Sequence, residues 1–121
     1  VLVADPDELG PVEDRLREHF SGRMFVARSL PHFLEFAADG VTKGSGLEIV
    51  AEHIGVSASQ TIAFGDGEND IELLEAAAYG IAVGDAHPRL SNVADWTCAG
   101  PEDEGVAAVI EALIEAGAGP G

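Results

Sequence analysis

Residues 61–83 carry the pattern that most narrows the folds open to this chain. Two short apolar runs, "TIAF" and "GIAV", stand on either side of the helical segment "NDIELLEAAA". "TIAF" does not alternate apolar with polar residues, which is typical of a parallel strand covered on both faces. Strand, helix and strand in this order predict a right-handed crossover and a parallel sheet.

The rest of the chain continues this alternation. "SGLEIVAEHIG" predicts a helix with Leu47, Val50 and Ile54 on one face and a stop at Gly55. The segments "HPRLSNVA", "WTC" and "EGVAAVIEALIEAG" predict a short helix, a weak strand and a last helix, before a Gly- and Pro-rich end that we expect to fray. Toward the N-terminus, strand, helix, strand and strand are predicted for "VLVA", "PVEDRLREHF", "RMFVARS" and "HFLEF". The fold class is therefore α/β.

Charge limits the partners that such a domain can have. The 121 residues include 22 acidic and 6 basic side chains, a formal net charge of −16. This balance argues against binding to nucleic acid or to an anionic membrane surface, and favours divalent cations. No apolar run approaches the roughly 20 residues that cross a bilayer, so we expect a soluble, cytoplasmic protein. Because the sequence starts with Val1, we also expect a piece of a longer chain.

Carboxylates gather in "FGDGENDIELLEAA", directly after a predicted buried strand. Asp66 ends that strand, where ligands of open parallel sheets bind, and Asp70 follows four residues later in the first helical turn. Gly65 and Gly67 allow a sharp turn and a close approach to a ligand. Two converging carboxylates suit Mg²⁺, and Asn69 is able to donate a hydrogen bond to a phosphate or a carboxylate. The alternative is that both aspartates only cap a helix.

Four segments occur in the order known from one enzyme family: "GVTKG", "GDGEND", "AVGDAHPRL" and "DEGVAAVI". With them, the chain from Gly40 onward resembles the C-terminal half of haloacid dehalogenase (HAD) superfamily phosphatases, of the Cof-type or IIB branch. The resemblance implies a Mg²⁺-dependent phosphatase that acts through a phosphoaspartate on a sugar phosphate or similar small metabolite. It also implies that residues 39–121 are the C-terminal half of a Rossmann-like core.

The resemblance assigns roles to single residues. Lys43 matches the family lysine that neutralises the phosphoryl group and the nucleophilic aspartate, although a lone lysine is more often a solvated surface group. Asp66 would bind Mg²⁺ directly, and Asp70 would bind it or orient a metal-bound water. Asn69 would touch the phosphate or the nucleophile. Gly44 and the helix start behind it would add backbone donors to an anion.

A second turn of the family pattern contains Asp85 and His87. Both residues lie in "GDAHP", at the end of the next predicted strand. Asp and His commonly bond to the backbone of such turns. We therefore expect a structural role for both.

The family nucleophile motif, Asp-x-Asp-Gly-Thr, does not occur in these residues. "VLVADPDEL" imitates it with Asp5 and Asp7, and Ser29 imitates the phosphate-binding Ser or Thr, but Glu8 and Leu9 follow in place of Gly-Thr. In this branch a whole cap domain normally separates these motifs from the lysine. Residues 1–38 are accordingly interpreted as a remnant of that cap domain, with Asp5, Pro6 and Asp7 as strand-end and turn residues.

Three functions remain open on the sequence. The chain is the C-terminal part of a phosphohydrolase, or a catalytically incomplete metal- or phosphate-binding module, or a compact enzyme that uses Asp5 and Asp7. A core half without its central strand would also expose an apolar strand edge. We expect either the missing N-terminal half or a second copy of the chain to cover that edge.

Overall fold

The computed structural model, which describes residues 1–117, divides the strands between two sheets. The first is antiparallel, in the order β1-β3-β2, and pairs Val26 of β2 with Phe36 of β3. Helix α1 connects β1 to β2. The bounds are Leu2–Val3 for β1, Pro6–His19 for α1, Met24–Leu30 for β2 and Phe33–Ala38 for β3. The predicted order of strand, helix, strand and strand is confirmed.

The second sheet is parallel, in the order β4-β5-β6. Its strands are Ile62–Gly65 (β4), Tyr79–Val83 (β5) and Trp96–Cys98 (β6). The helices of this half are Lys43–Ile54 (α2), Ile71–Ala76 (α3), Pro88–Val93 (α4) and Gly105–Glu115 (α5). Helix α3 packs on β4 and β5, the two strands that it connects. The predicted α/β fold with a parallel sheet and flanking helices is thereby confirmed.

Each sheet has its own hydrophobic core. One cluster is centred on Leu9, Val26 and Leu34, and the other on Ala63, Leu74 and Leu90. Among residues 1–117, no side chain belongs to both clusters. The antiparallel sheet with its helix, residues 1–38, is called the N-terminal segment below.

Helix α1 begins earlier than the apolar spacing predicts. It starts at Pro6, with Asp5 at the N-cap position, so the interpretation of Pro6 and Asp7 as turn residues was wrong. Proline is favoured at the first helical position, and the acidic Asp7 and Glu8 interact well with the positive end of the helix dipole. Pro11 lies inside the helix and removes one of its backbone hydrogen bonds.

Helix α2 is fixed at both ends by local chemistry. The Thr42 hydroxyl accepts a hydrogen bond from the Ser45 amide, and the Ser45 hydroxyl accepts one from the Thr42 amide. This reciprocal cap starts the helix two residues before the predicted position. The helix ends, as predicted, at Gly55, whose φ of 78° is left-handed.

The apolar face predicted for α2 is only partly covered. Val50 and Ile54 are 57% and 66% exposed, and their neighbour Ile49 is 68% exposed. Strand β4 pairs with β5 on one side, and no strand among residues 1–117 pairs with its other side. The Gly- and Pro-rich end predicted to fray falls mostly on residues 118–121, outside the described part of the chain. None of the described helices has the length and apolar character needed to cross a membrane.

Candidate functional site

A tight turn at the carboxyl end of β4, residues 65–70, forms the acidic loop. A 3₁₀ turn, Glu68–Asp70, leads from this loop into α3. A Cβ on Gly65 would lie 2.6 Å from the Cβ of Asp70, and one on Gly67 would lie 2.9 Å from Oδ1 of Asn69. Only glycine fits at Gly65 without moving Asp70, so the predicted need for a close backbone approach is explained by packing within the loop itself.

Asp70 is buried, and both of its carboxylate oxygens are engaged. Oδ1 accepts a hydrogen bond from Nζ of Lys43, and Oδ2 accepts bonds of 3.1 Å from the backbone amides of Asp66 and Gly67. Burial by itself raises the pKa of Asp70, because it disfavours the charged form. The hydrogen bonds from Lys43, Gly67 and Asp66, together with the positive charge of Lys43, outweigh burial and lower the pKa below its usual 3.8. Asp70 therefore holds the loop as a carboxylate.

Lys43 reaches Asp70 from the first turn of α2, 27 residues away in sequence. Helices α2 and α3 approach each other closely because Gly44 of α2 has no side chain. A Cβ there would lie 2.3 Å from the carbonyl oxygen of Glu72 in α3. The Lys43 side chain remains half exposed, at 50%. One side of its ammonium group is paired with Asp70, and the rest is available to an anion.

Asp66 has a different environment. Its backbone carbonyl accepts a 2.8 Å hydrogen bond from the His87 amide, which fixes the main chain, while the residue as a whole is exposed. Within residues 1–117 its carboxylate has no hydrogen-bond or ion-pair partner. A free, hard oxygen donor at a strand end suits Mg²⁺, which commonly takes only one or two protein carboxylates and keeps several waters. The described residues contain no cluster of three or more His, Cys, Asp or Glu side chains able to hold a metal ion. The fit is therefore that of one part of a Mg²⁺ site.

Two cavities contain the predicted site residues Lys43, Asp66 and Asn69, and the N-terminal segment borders both. The larger, of about 390 Å³, has Asp66 and the turn after β2 in its walls. The smaller, of about 130 Å³, contains Lys43 and Asn69. The complete lining of the larger cavity is Arg28, Ser29, Leu30, Pro31, Asp66, Gly67, Glu68, Asp85 and His87. The structure thus brings Lys43, Asn69 and Asp70 together and places Asp66 on the adjoining cavity.

The turn after β5 supports the loop. Nδ1 of His87 accepts a 3.2 Å hydrogen bond from the Arg89 amide and so caps α4, while the His87 amide holds the carbonyl of Asp66. The structural role expected for His87 is confirmed. Asp85 is exposed and lines the larger cavity.

The three residues that imitate the family's N-terminal motifs lie in the N-terminal segment. Strand β1, which precedes Asp5, pairs with β3 of the antiparallel sheet and not with β4. Asp7 lies in the first turn of α1. Ser29 does border the larger cavity, and its carbonyl oxygen would lie 3.6 Å from a Cβ on Gly67.

A group of charged residues around the loop was not identified from the sequence. Glu68 pairs with Arg17 and Arg89, and Glu13 pairs with Arg17 and Arg28. Apart from Glu13 and Arg17, which are four residues apart on α1, the paired residues come from different elements, α1, β2, the loop and α4, and no sequence spacing brings them together. The signal available in the sequence was the spacing of Glu13 and Arg17, because opposite charges four residues apart on a helix lie next to each other.

This chain is similar to known proteins in both sequence and fold. A family model described as haloacid dehalogenase-like hydrolase matches residues 1–110. Among solved structures, the subclass IIB sugar phosphatase BT4131 superimposes with a TM-score of 0.73 at 30% identity, over 88% of this chain and 40% of that one.

Two curated relatives are similar over shorter stretches. The HMP-PP phosphatase of Serratia proteamaculans is 35% identical over 94 residues, which are 77% of this chain and 34% of the relative. The phosphoglycolate phosphatase of Methanothermobacter thermautotrophicus is 43% identical over 74 residues, 61% of this chain and 34% of the relative.

The chain spans about two fifths of the length of the curated relatives that match nearly all of it. The family model covers more than nine tenths of this chain. The matched residues include both Lys43 of α2 and Asp70 of the acidic loop, which pair with each other. This protein therefore belongs to the haloacid dehalogenase-like hydrolases.

Proposed function

We propose that this chain is the C-terminal part of a Mg²⁺-dependent phosphatase that acts on a sugar phosphate or similar small phosphorylated metabolite. The observation that carries the proposal is the pairing of buried Asp70 with half-exposed Lys43, beside the free carboxylate of Asp66. The named activities of the similar proteins, phosphatases for three different substrates, support it. A cavity of about 390 Å³ is within the usual size range for a small-molecule site.

In this proposal each loop residue has one task. Asp66 holds Mg²⁺, which supplies charge neutralisation at the phosphoryl group. Asp70 orients Lys43 and the amides of the loop, as its three hydrogen bonds suggest. Lys43 directs its remaining ammonium protons at the phosphoryl oxygens, and Asn69, in the same cavity, donates a hydrogen bond to phosphate.

The proposal places the nucleophile outside these residues. An aspartate of an Asp-x-Asp-Gly-Thr motif would attack phosphorus, form a phosphoaspartate and release the alcohol, and water would then hydrolyse the acyl phosphate. Residues 1–38 are the remnant of the cap domain, and residues 39–121 are the C-terminal half of the core. The separate sheets and separate hydrophobic clusters are consistent with this division.

Binding of Mg²⁺ to this chain tests the metal role without requiring turnover. We expect millimolar Mg²⁺ to shift the amide NMR signals of Asp66 and its neighbours. Asp66→Asn should weaken Mg²⁺ binding by at least about 10-fold, which is the lower end of the loss of affinity caused by changing residues that only support a metal ligand. Asp85→Asn removes an exposed carboxylate from the same cavity and serves as the control. Equal weakening by both variants would show a diffuse acidic surface in place of a site.

Hydrolysis of p-nitrophenyl phosphate tests the catalytic assignment. The chain alone should show no Mg²⁺-dependent turnover over an EDTA control, because the nucleophile is absent. A longer protein with the Asp-x-Asp-Gly-Thr segment should be active, and Asp66→Ala should lower its kcat by about 100-fold or more. Turnover by the 121-residue chain itself, abolished by Asp66→Ala, would overturn the assignment of residues 1–38 and make Asp5 the leading candidate for the nucleophile.

A further inference from the structure

The few basic residues of this chain are concentrated around the acidic loop. The chain has six Lys and Arg side chains, and four of them pair with carboxylates in or next to that loop. One is Lys43, which holds Asp70. The other three are Arg17, Arg28 and Arg89.

The three arginines and two glutamates form one continuous chain of ion pairs. Arg28 lies 2.7 Å from one oxygen of Glu13, and Arg17 lies 2.7 Å from the other. The same Nη2 of Arg17 lies 3.3 Å from Oε1 of Glu68, which in turn lies 2.8 Å from Arg89. The two glutamate side chains are only 11% and 10% exposed, so water competes weakly for them.

This chain of charges crosses between the two halves of the molecule. The hydrophobic clusters of the two sheets share no side chain among the described residues, and strand β2 of the N-terminal segment contacts the 3₁₀ turn Glu68–Asp70 directly. Within residues 1–117, the contact of Arg17 with Glu68 is the only ion pair between the N-terminal segment and the rest. Nε of Arg17 is buried and has no hydrogen-bond partner. Both ion pairs of Arg17, with Glu13 and with Glu68, are made by Nη2.

Glu68 is well placed to transmit the position of that segment. It begins the 3₁₀ turn that ends at Asp70, and it directly follows Asp66 and Gly67. A displacement of Glu68 therefore shifts the acidic loop, in which the amides of Asp66 and Gly67 hold Asp70 and Asp70 in turn holds Lys43.

We propose that Glu68 is a positioning residue, which couples the geometry of the acidic loop to the N-terminal segment through Arg17. Its second ion-pair partner, Arg89, belongs to the parallel-sheet half. As a statement about catalysis, this inference rests on the proposed phosphatase function. As a statement about the loop, it stands on the ion pairs alone. Movement of the N-terminal segment away from the core removes Arg17, leaves Arg89 in place and loosens the turn.

Amide hydrogen exchange of Asp66 and Gly67 measures the coupling directly, because both amides donate to Asp70. Arg17→Gln should speed their exchange roughly two- to five-fold, the range expected for loss of one partly exposed ion pair, and leave the amides of β5 unchanged. Arg17→Lys should retain most of the protection. Arg15→Gln, on the same helix and in none of the ion pairs of residues 1–117, is the matched control and should have no effect.

The double variant Arg17→Gln/Glu68→Gln should exchange no faster than Glu68→Gln alone. Glu68→Gln already removes the contact with Arg17, and the other ion pair of Arg17, with Glu13, lies within the N-terminal segment. Unchanged loop amides in Arg17→Gln would overturn the proposal, and so would equal acceleration of loop and β5 amides, which indicates only global destabilisation. If Arg17→Gln does not fold, about 1 M NaCl on the unaltered chain should reproduce the acceleration, and no response to salt would also overturn it. None of these readouts depends on hydrolysis, so failure of the phosphatase assignment would be seen separately.

Discussion

Asp70 concentrates a buried negative charge in a chain that is already strongly acidic. Its position is stable because three donors converge on it, one from Lys43 and two from the loop backbone. Loss of the charge would weaken all three bonds together. The ionisation state of this single residue should consequently affect the stability of the whole loop.

We predict an acid-sensitive contribution of Asp70 to folding stability. The pKa of Asp70 in the folded chain is lowered from its usual 3.8, so the contribution is fully present above that value and is lost as the pH falls through the folded pKa. In urea unfolding followed between about pH 2 and 6, the free energy of unfolding should decline more steeply below pH 3.8 in the unaltered chain than in Asp70→Asn. Asp85→Asn, an exposed control, should keep the steep decline. Parallel curves for all three proteins would contradict the prediction.

At the same scale, the sequence predicted the identity of the loop residues better than their contacts. The resemblance indicated Lys43, Asp66, Asn69 and Asp70, and their exact roles in catalysis stay predictions. Spacing did not predict that Lys43 and the loop backbone bind both carboxylate oxygens of Asp70, because the position of Lys43 depends on how α2 packs. The ion pairs of Glu68 depend on two distant elements, α1 and α4, for the same reason.

Among the elements, the contact of α2 with α3 decides where Lys43 lies. Gly44 is buried against the backbone of Glu72, and this approach puts the first turn of α2 beside the acidic loop. The sequence suggested that Gly44 would offer its backbone to an anion. The structure shows in addition that the absence of its side chain permits the helix contact.

Replacement of Gly44 tests this contact. Gly44→Ala would place a Cβ 2.3 Å from a main-chain oxygen that cannot rotate away, so α2 must shift. We expect a loss of about 1–3 kcal/mol in the free energy of unfolding, the usual range for overpacking, measured by urea denaturation. Gly46→Ala is the control: it lies in the same helix with nothing within 4 Å of its Cβ position, and should be neutral or stabilising by up to about 1 kcal/mol. Equal effects of the two changes would show that helix propensity, not the contact, matters at Gly44.

Element types and order followed from the sequence, because strand and helix patterns in this chain are local. Element ends did not follow as well. Helix α1 gained its first turn from Pro6 and two acidic residues, and α2 gained its first two residues from the reciprocal cap of Thr42 and Ser45. The spacing of apolar residues carries no information about helix ends that polar residues and proline determine. The division into two separate hydrophobic clusters depends on tertiary packing, and the local pattern of the sequence carries no information about it.

Across the whole molecule, the surface left uncovered among residues 1–117 includes the outer edge of β4 and one face of α2. The face exposes Val50 and Ile54, which the helical pattern had predicted to be covered, and their neighbour Ile49. The cover predicted from the sequence, either a missing N-terminal half or a second copy of the chain, stays a prediction.

We predict that the isolated chain associates through this surface. Sedimentation equilibrium should show a weight-average mass that rises with concentration above the 12.5 kDa of the monomer. Val50→Glu should shift the equilibrium toward monomer, because it puts a charge on the exposed apolar face. Ala107→Glu, an exposed position on α5, is the control and should leave association unchanged. A monomer at all concentrations would contradict the prediction.

The aromatic residues are unevenly divided between the two halves. The chain has one tryptophan and one tyrosine, and they stack on each other at the start of β6 and β5, with ring centroids 4.7 Å apart. The N-terminal segment contains neither. Intrinsic fluorescence of this protein therefore reports unfolding of the parallel-sheet half alone. Comparison of an emission melt with a far-ultraviolet circular dichroism melt, which follows both halves, would show whether the two cores melt together or one after the other.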